Sequence, residues 1–315
     1  MADQIPVIDM RDWAHPDRRR GFISTLGAAL EEYGFVRVTG HVVNPDLVDE
    51  AYRRLSEFFD RPMNDKRRYY LEGTQGQRGY TPFRMEHAKD QDLPDLKEFW
   101  HVGREFPTTH ALSRVYPSNV WPEQIDGFRG SLLAIFDALE GCALQLLDAL
   151  DKYLGNPAGT LRSMALDGNT ILRALHYPAL DDHTHIPGAI RAAAHEDINL
   201  ITLLITSTAS GLQLLRRDGT WMDVNAEPGE IIVDSGDMLA RITNGLLPAT
   251  THRVVNPDDG GARRFSLPFF VHPRPDVVLR VFEQCRGPGF PRPKPDITAM
   301  EFLQNRLAAI GLGTI

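Results

Sequence analysis

Cysteine is scarce in this chain: two in 315 residues, Cys142 and Cys285. A disulfide-stapled secreted scaffold is therefore not expected, and Cys142, on the apolar side of a helical pattern, reads as a small core residue. No run of about eighteen apolar residues is present, the length a membrane-crossing helix needs. The first residues carry no apolar stretch of the signal-peptide kind. Positive charge is also in deficit, with 34 Lys and Arg against 42 Asp and Glu and a net charge of −8. That balance argues against nucleic acid, whose binding is driven by cationic neutralisation of phosphates. Basic clusters such as Lys66-Arg67-Arg68 read as solvated helix faces. No internal repeat or linker divides the chain. The expectation is one cytoplasmic domain over residues 1–315, away from membranes, with 42% hydrophobic residues to fill its core.

What the chain does contain is Ala194-His195-Glu196-Asp197-Ile198 and, far downstream, His252. Two imidazoles and one carboxylate can hold iron(II) on one face and leave the opposite face open. In an extended strand, residues two apart point the same way, so His195 and Asp197 can share one ion while Glu196 turns aside. The 55 residues from Asp197 to His252 leave room for several short strands, at Leu200–Thr206, Gly211–Leu215, Trp221–Val224 and Ile231–Asp234. His-x-Asp also occurs by chance. A second copy, His15-Pro16-Asp17, sits in a polar stretch with proline between its candidate ligands and reads as loop. Twelve residues beyond His252 comes Arg264-Phe265-Ser266. On a strand, Arg264 and Ser266 face one cavity, where a guanidinium and a hydroxyl can bind a carboxylate.

Taken together these residues carry a family resemblance. The chain resembles the isopenicillin N synthase-like branch of the non-haem iron(II), 2-oxoglutarate-dependent dioxygenases. The likeness runs through Ile5-Pro6-Val7-Ile8-Asp9, Tyr33-Gly34-Phe35, Gly40-His41, Gly79-Tyr80, Asp95-Leu96-Lys97-Glu98-Phe99 and His176-Tyr177-Pro178, then the His/Asp/His set and Arg264-Phe265-Ser266. Plant members usually have Asn two residues before the tyrosine matching Tyr177. Leu175 stands there here, which removes a polar contact near the co-substrate.

Periodicity supplies the elements. Ile5–Asp9 reads as a strand, Asp17–Tyr33 as an amphipathic helix and Phe35–Val38 as a strand. Asn44 and Pro45 are a cap and first residue for a helix running to Phe59. Glu72–Pro117, rich in Gly, Pro and charge, reads as loops across the mouth of a barrel. Within it Arg78, Arg84 and His101 could face a substrate, although such residues most often sit at the surface. Pro122–Leu154 is the strongest helical signal, a brace laid against a sheet, and Asn156–Ala165 a shorter helix. Ile171–Tyr177 begins a strand-rich half, in which His183 and His185 read as loop histidines. Thr298-Ala299-Met300-Glu301 is a capping box for a final helix. The fold class expected is mixed α/β of the α+β kind: a double-stranded β-helix, or jelly roll, over residues 169–272, braced by helices, with residues 1–117 as the family's N-terminal subregion.

The resemblance implies an enzyme that uses iron(II), 2-oxoglutarate and O2 to hydroxylate, desaturate or cyclise a small organic molecule, releasing succinate and carbon dioxide. His195, Asp197 and His252 would be metal ligands. Arg264 and Ser266 would anchor 2-oxoglutarate, with Tyr177 lining the same pocket. Phe270 and His272 match positions that meet substrate in plant members; Arg84 is the candidate from the loop segment. Two alternatives stand beside this reading. One is an oxidase of the isopenicillin N synthase type, without 2-oxoglutarate, suggested by Phe302-Leu303-Gln304-Asn305-Arg306. The other is a non-catalytic jelly-roll binding protein.

Overall fold

The structure is a computed structural model that describes residues 4–73, 76–86, 93–180, 186–205, 207–257 and 262–309. His183 and His185 lie outside the described residues. Among the described residues, twelve strands form two sheets. The larger contains, in spatial order, β1 (Val7–Asp9), β2 (Phe35–Thr39), β10 (Ile231–Ser235), β7 (Ile201–Ile205), β12 (Arg264–Val271), β5 (Ile171–Tyr177), β4 (Glu98–Gly103) and β3 (Gly79–Thr81). The smaller runs β6 (Ala192–His195), β11 (His252–Val254), β8 (Leu212–Leu215) and β9 (Trp221–Asp223). Strands β1 and β2 pair in parallel; the other pairings among the described residues are antiparallel, and the two sheets form the jelly roll.

Strand β12 shows how this sequence makes a two-faced wall. Phe265, Leu267, Phe269 and Val271 belong to the main hydrophobic core, where Phe269 meets Phe136 edge-on at 4.9 Å. By alternation, Arg264, Ser266, Pro268 and Phe270 face the smaller sheet. A second cluster, with Phe35, Ala192, Leu214, Ile232 and Val254, closes the space between the sheets.

The helices are α1 (Met10–Ala14), α2 (Arg19–Tyr33), α3 (Pro45–Phe59), α4 (Met63–Arg67), α5 (Phe128–Leu154), α6 (Thr160–Ala165), α7 (Asp237–Ile242) and α8 (Ala299–Ala309). Asn44 caps α3 as expected, its side chain accepting from the Asp46 N–H at 2.9 Å. The Thr298/Glu301 capping box forms at the start of α8. Helix α5 is long and apolar enough by composition to cross a membrane, but here it packs against α2, α3 and α6 as the core brace. It starts at Phe128 rather than Pro122 because Gly127 takes a left-handed conformation (φ 75°) that interrupts the helix.

The segment Glu72–Pro117 differs from the loops expected. It contributes β3 and β4, and β4 lies inside the large sheet between β3 and β5 with all six residues buried. Its pattern is masked because charged residues point inward and are paired there. Lys66 Nζ meets Glu98 at 2.8 Å, His176 Nδ1 meets the same carboxylate at 2.8 Å, and the Tyr80 hydroxyl donates to it. Burial alone would raise the Glu98 pKa, but His176 and Lys66 outweigh it and hold the carboxyl below its ordinary 4.5. Its folded value is depressed, so its contribution is complete above pH 4.5 and fades as pH falls through the folded value. Glu98→Gln leaves Lys66 buried without its anion and is expected to cost about 3–5 kcal/mol at neutral pH. In denaturant titrations the gap to wild type should narrow in acid. A variant as stable as wild type at neutral pH would show that Glu98 does not hold this corner together.

Candidate metal centre and co-substrate clamp

His195 is the last residue of β6 and His252 the first of β11, and the antiparallel register places them directly opposite. Their ring centroids are 4.5 Å apart. The strand ends at His195, so Asp197 lies just past β6 rather than within it, yet its side chain still turns back to both histidines. Asp197 Oδ1 is 3.8 Å from His195 Nε2 and 3.9 Å from His252 Nε2. One donor atom from each residue falls within 4.8 Å of the others, the one such group of three among the described residues. His15 and Asp17 are exposed and belong to no such group.

Neighbouring groups decide which atoms face inward. His195 Nδ1 is 2.7 Å from the Ala193 carbonyl oxygen, and His252 Nδ1 is 3.1 Å from that of Thr250. Each carbonyl can only accept, so the ring proton is assigned to Nδ1 and the Nε2 lone pair is left for a metal. Burial, with His195 beside it, pushes the His252 pKa down to about 4, which keeps that ring neutral. Asp197 Oδ2 accepts from the Thr202 hydroxyl, which itself accepts from Asn199 Nδ2 at 2.9 Å. Glu196 turns aside, as expected, and accepts from the Thr251 hydroxyl. One neighbour escaped the sequence reading. Asp234, in an otherwise apolar strand, is buried beside Asp197, and burial and that negative charge raise its pKa well above the ordinary carboxyl value. A lone acid inside Ile231–Ser235 was its signal.

Across from the three donors, Arg264 and Ser266 are 1% and 2% exposed. Arg264 Nη1 donates to Ser266 Oγ at 3.2 Å and its Nε to the Ala209 carbonyl at 3.0 Å. Tyr177 stands opposite Arg264 in the β5 register, with the guanidinium carbon 5.0 Å from its ring centroid. No carboxylate pairs with Arg264 among the described residues. A buried cation facing an open set of metal donors suits a co-substrate that is itself an anion. Arg191, which sequence reading did not single out, lies 5.9 Å from the same tyrosine ring. Leu175 sits opposite Ser266 and packs with Phe99 and Tyr177, so the site wall is apolar there.

Phe270 and His272 continue the inward row of β12. His272 Nδ1 is 3.2 Å from the Phe270 carbonyl, and burial pushes the pKa of this histidine down to about 4. Arg84 is exposed, adopts a left-handed backbone (φ 68°) and lies over the Phe83 ring. Two residues on, Glu86 pairs with Arg173 of β5 at 3.1 and 3.2 Å. Arg78 and His101, placed by type at the surface, are instead 0% and 5% exposed. Asp95 reaches across to accept from the Ala193 N–H at 2.9 Å, two residues before His195.

Known proteins resemble this chain over nearly all of its length. Residues 5–124 match the family model of the non-haem dioxygenase in morphine synthesis N-terminal region, and residues 168–273 that of the 2OG-Fe(II) oxygenase superfamily. The 2-oxoglutarate-dependent dioxygenase caaD of Aspergillus niger is 30% identical over 85% of this chain and 84% of its own length. A 2OG-Fe(II) oxygenase family protein from Caulobacter crescentus is 37% identical and superposes with a TM-score of 0.87, covering 96% of this chain and 98% of that one. A full-length Neurospora crassa protein, solved with alpha-KG and thymine, is 26% identical with a TM-score of 0.85, covering 97% and 96%. The jelly roll, the His/Asp/His group and these matches lead to one conclusion: the chain belongs to the non-haem iron(II), 2-oxoglutarate-dependent oxygenases, enzymes that oxidise a small organic molecule with iron(II), 2-oxoglutarate and O2.

Proposed function

We propose that His195, Asp197 and His252 hold the iron, that Arg264 and Ser266 bind the far carboxylate of 2-oxoglutarate beside Tyr177, and that Phe270 and His272 meet the substrate. The observation that carries this assignment is the convergence of three donor atoms within 4.8 Å, in a fold whose facing strand buries a guanidinium that meets no carboxylate among the described residues. When bound, the iron and 2-oxoglutarate supply an oxidant strong enough to attack an unactivated C–H bond, with succinate and carbon dioxide released. The protein's own residues orient and shield. Thr202 and Asn199 aim the Asp197 carboxylate, the Ala193 and Thr250 carbonyls aim the two rings, and Leu175, Phe99 and Phe270 keep the chamber apolar.

The N-terminal part and the jelly roll act as one domain in this reading, supported by a single core cluster that runs from Ile8 to Ala299. A small molecule is the substrate, rather than nucleic acid or a membrane lipid, in keeping with the net charge of −8. The two buried free thiols suit a cytoplasmic enzyme. Relatives differ in what their names imply, one solved with thymine and another called a proline hydroxylase, so the choice of substrate belongs to residues of this pocket. The oxidase alternative gains no support, since caaD and other relatives are named for 2-oxoglutarate.

Anaerobic titration tests the assignment. Protein loaded with iron(II) is expected to develop a visible absorption band on adding 2-oxoglutarate, and neither component alone should produce it. The same band in protein lacking His195 and His252 would move the iron elsewhere.

A further inference from the structure

Arg78 is fully buried, yet its charge meets no carboxylate among the described residues. Its Nη1 donates to the Gln77 carbonyl at 2.7 Å and its Nε to the Pro117 carbonyl at 3.1 Å. Nη2 is buried without any partner. Leaving an ionised group unpaired in the interior is costly, and a fold seeking only stability would place an apolar side chain there.

The sheet register says which way this cation faces. Phe99, His101 and Gly103 alternate on β4, opposite Leu175, Arg173 and Ile171 of β5, and Ile171 lies opposite Phe270 of β12. All of these belong to the face that carries Tyr177, Arg264 and Ser266. The Arg78 guanidinium lies flat on Gly103: a Cβ there would come within 2.0 Å of its Cζ and Nη2. Glycine at 103 thus makes the space this side chain occupies. Arg78 stands two strands from Phe270, roughly 10 Å at the usual spacing of β-strands.

Apart from Arg264, assigned above to the co-substrate, the buried charges beside Arg78 on this wall cancel. Arg173 pairs with Glu86, and Lys97 lies 2.7 Å from Asp95 and 2.6 Å from Glu86, making two cations against two anions. His101 is neutral, since burial and the nearby Arg173 push its pKa well below the ordinary value. It accepts from Arg173 Nε at 2.6 Å. Among the described residues, Arg78 is therefore a positive charge with no carboxylate to balance it on the substrate side of the sheet.

We propose that Arg78 binds a carboxylate of the substrate, so that this oxygenase acts on a small organic monoacid whose body lies over Phe270, between Arg78 and the metal ligands. The proposal rests on the site assignment above. Because Arg78 is closed over, the carboxylate enters by replacing the Gln77 and Pro117 carbonyls, both backbone groups. The partner is a planar anion because a guanidinium offers parallel N–H donors that suit one.

The test uses enzyme loaded anaerobically with iron(II) and saturating 2-oxoglutarate. It is titrated calorimetrically with three acids and their amides: acetate and acetamide, benzoate and benzamide, phenylacetate and phenylacetamide. At least one acid should bind tenfold or more tightly than its amide, and Arg78→Gln should bring that ratio close to one while 2-oxoglutarate still binds. Arg78→Lys should recover only part of the preference. Absence of any acid-over-amide preference in the wild type overturns the proposal, however the variants fold. A preference that persists in folded, 2-oxoglutarate-binding Arg78→Gln overturns it as well. Failure of 2-oxoglutarate to bind the wild type is read in the loading step, and it refutes the site assignment instead.

Discussion

Asp197→Ala is expected to abolish turnover and to weaken iron(II) binding by more than about a hundredfold, beyond the roughly 10–100-fold that follows loss of an outer partner to a ligand. Asp197 supplies the sole anionic donor of the three, and two neutral imidazoles hold a hard divalent ion poorly. The change also strands Thr202, whose hydroxyl donates to Asp197 and accepts from Asn199. Anaerobic iron titration, read by protein-bound metal after gel filtration, measures the effect without turnover. Unchanged iron affinity would remove Asp197 from the metal site. His15→Ala and Asp17→Ala serve as controls, since both residues are exposed and should leave bound iron intact.

Arg264→Ala should leave iron in place and raise the dissociation constant of 2-oxoglutarate. Truncating one partner of a buried, hydrogen-bonded charge pair costs on the order of 2–5 kcal/mol, which corresponds to tens-fold to thousands-fold in affinity. Arg264 is 1% exposed, so solvent does little to soften the loss. Lysine should rescue poorly. Its ammonium is a point charge that cannot reproduce the fork now spanning Ser266 and the Ala209 carbonyl beside the Tyr177 ring. Equilibrium titration of 2-oxoglutarate into iron-loaded variant gives the number. A change of less than about threefold would assign the co-substrate carboxylate to another cation, with Arg191 the first to examine.

Local pattern determined much of this protein. Residue type and spacing picked out His195, Asp197, His252, Arg264 and Ser266, because a strand's two-residue repeat is visible in sequence wherever one face is apolar. Helix α3 was readable to the residue from Asn44, Pro45 and its apolar strip. Strand β4 was not, since Lys97, Glu98 and His101 are buried against partners distant in the chain, and no local signal reveals that a charge will be paired. The same holds for Asp234, which became a carboxyl behind the metal ligands only when β10 was laid beside β7. Arg84 and Arg78 look alike in sequence, six residues apart in one polar segment. Tertiary structure alone separated them, leaving Arg84 in solvent and laying Arg78 on Gly103 of the sheet, because burial is a property of what the rest of the chain brings to a residue.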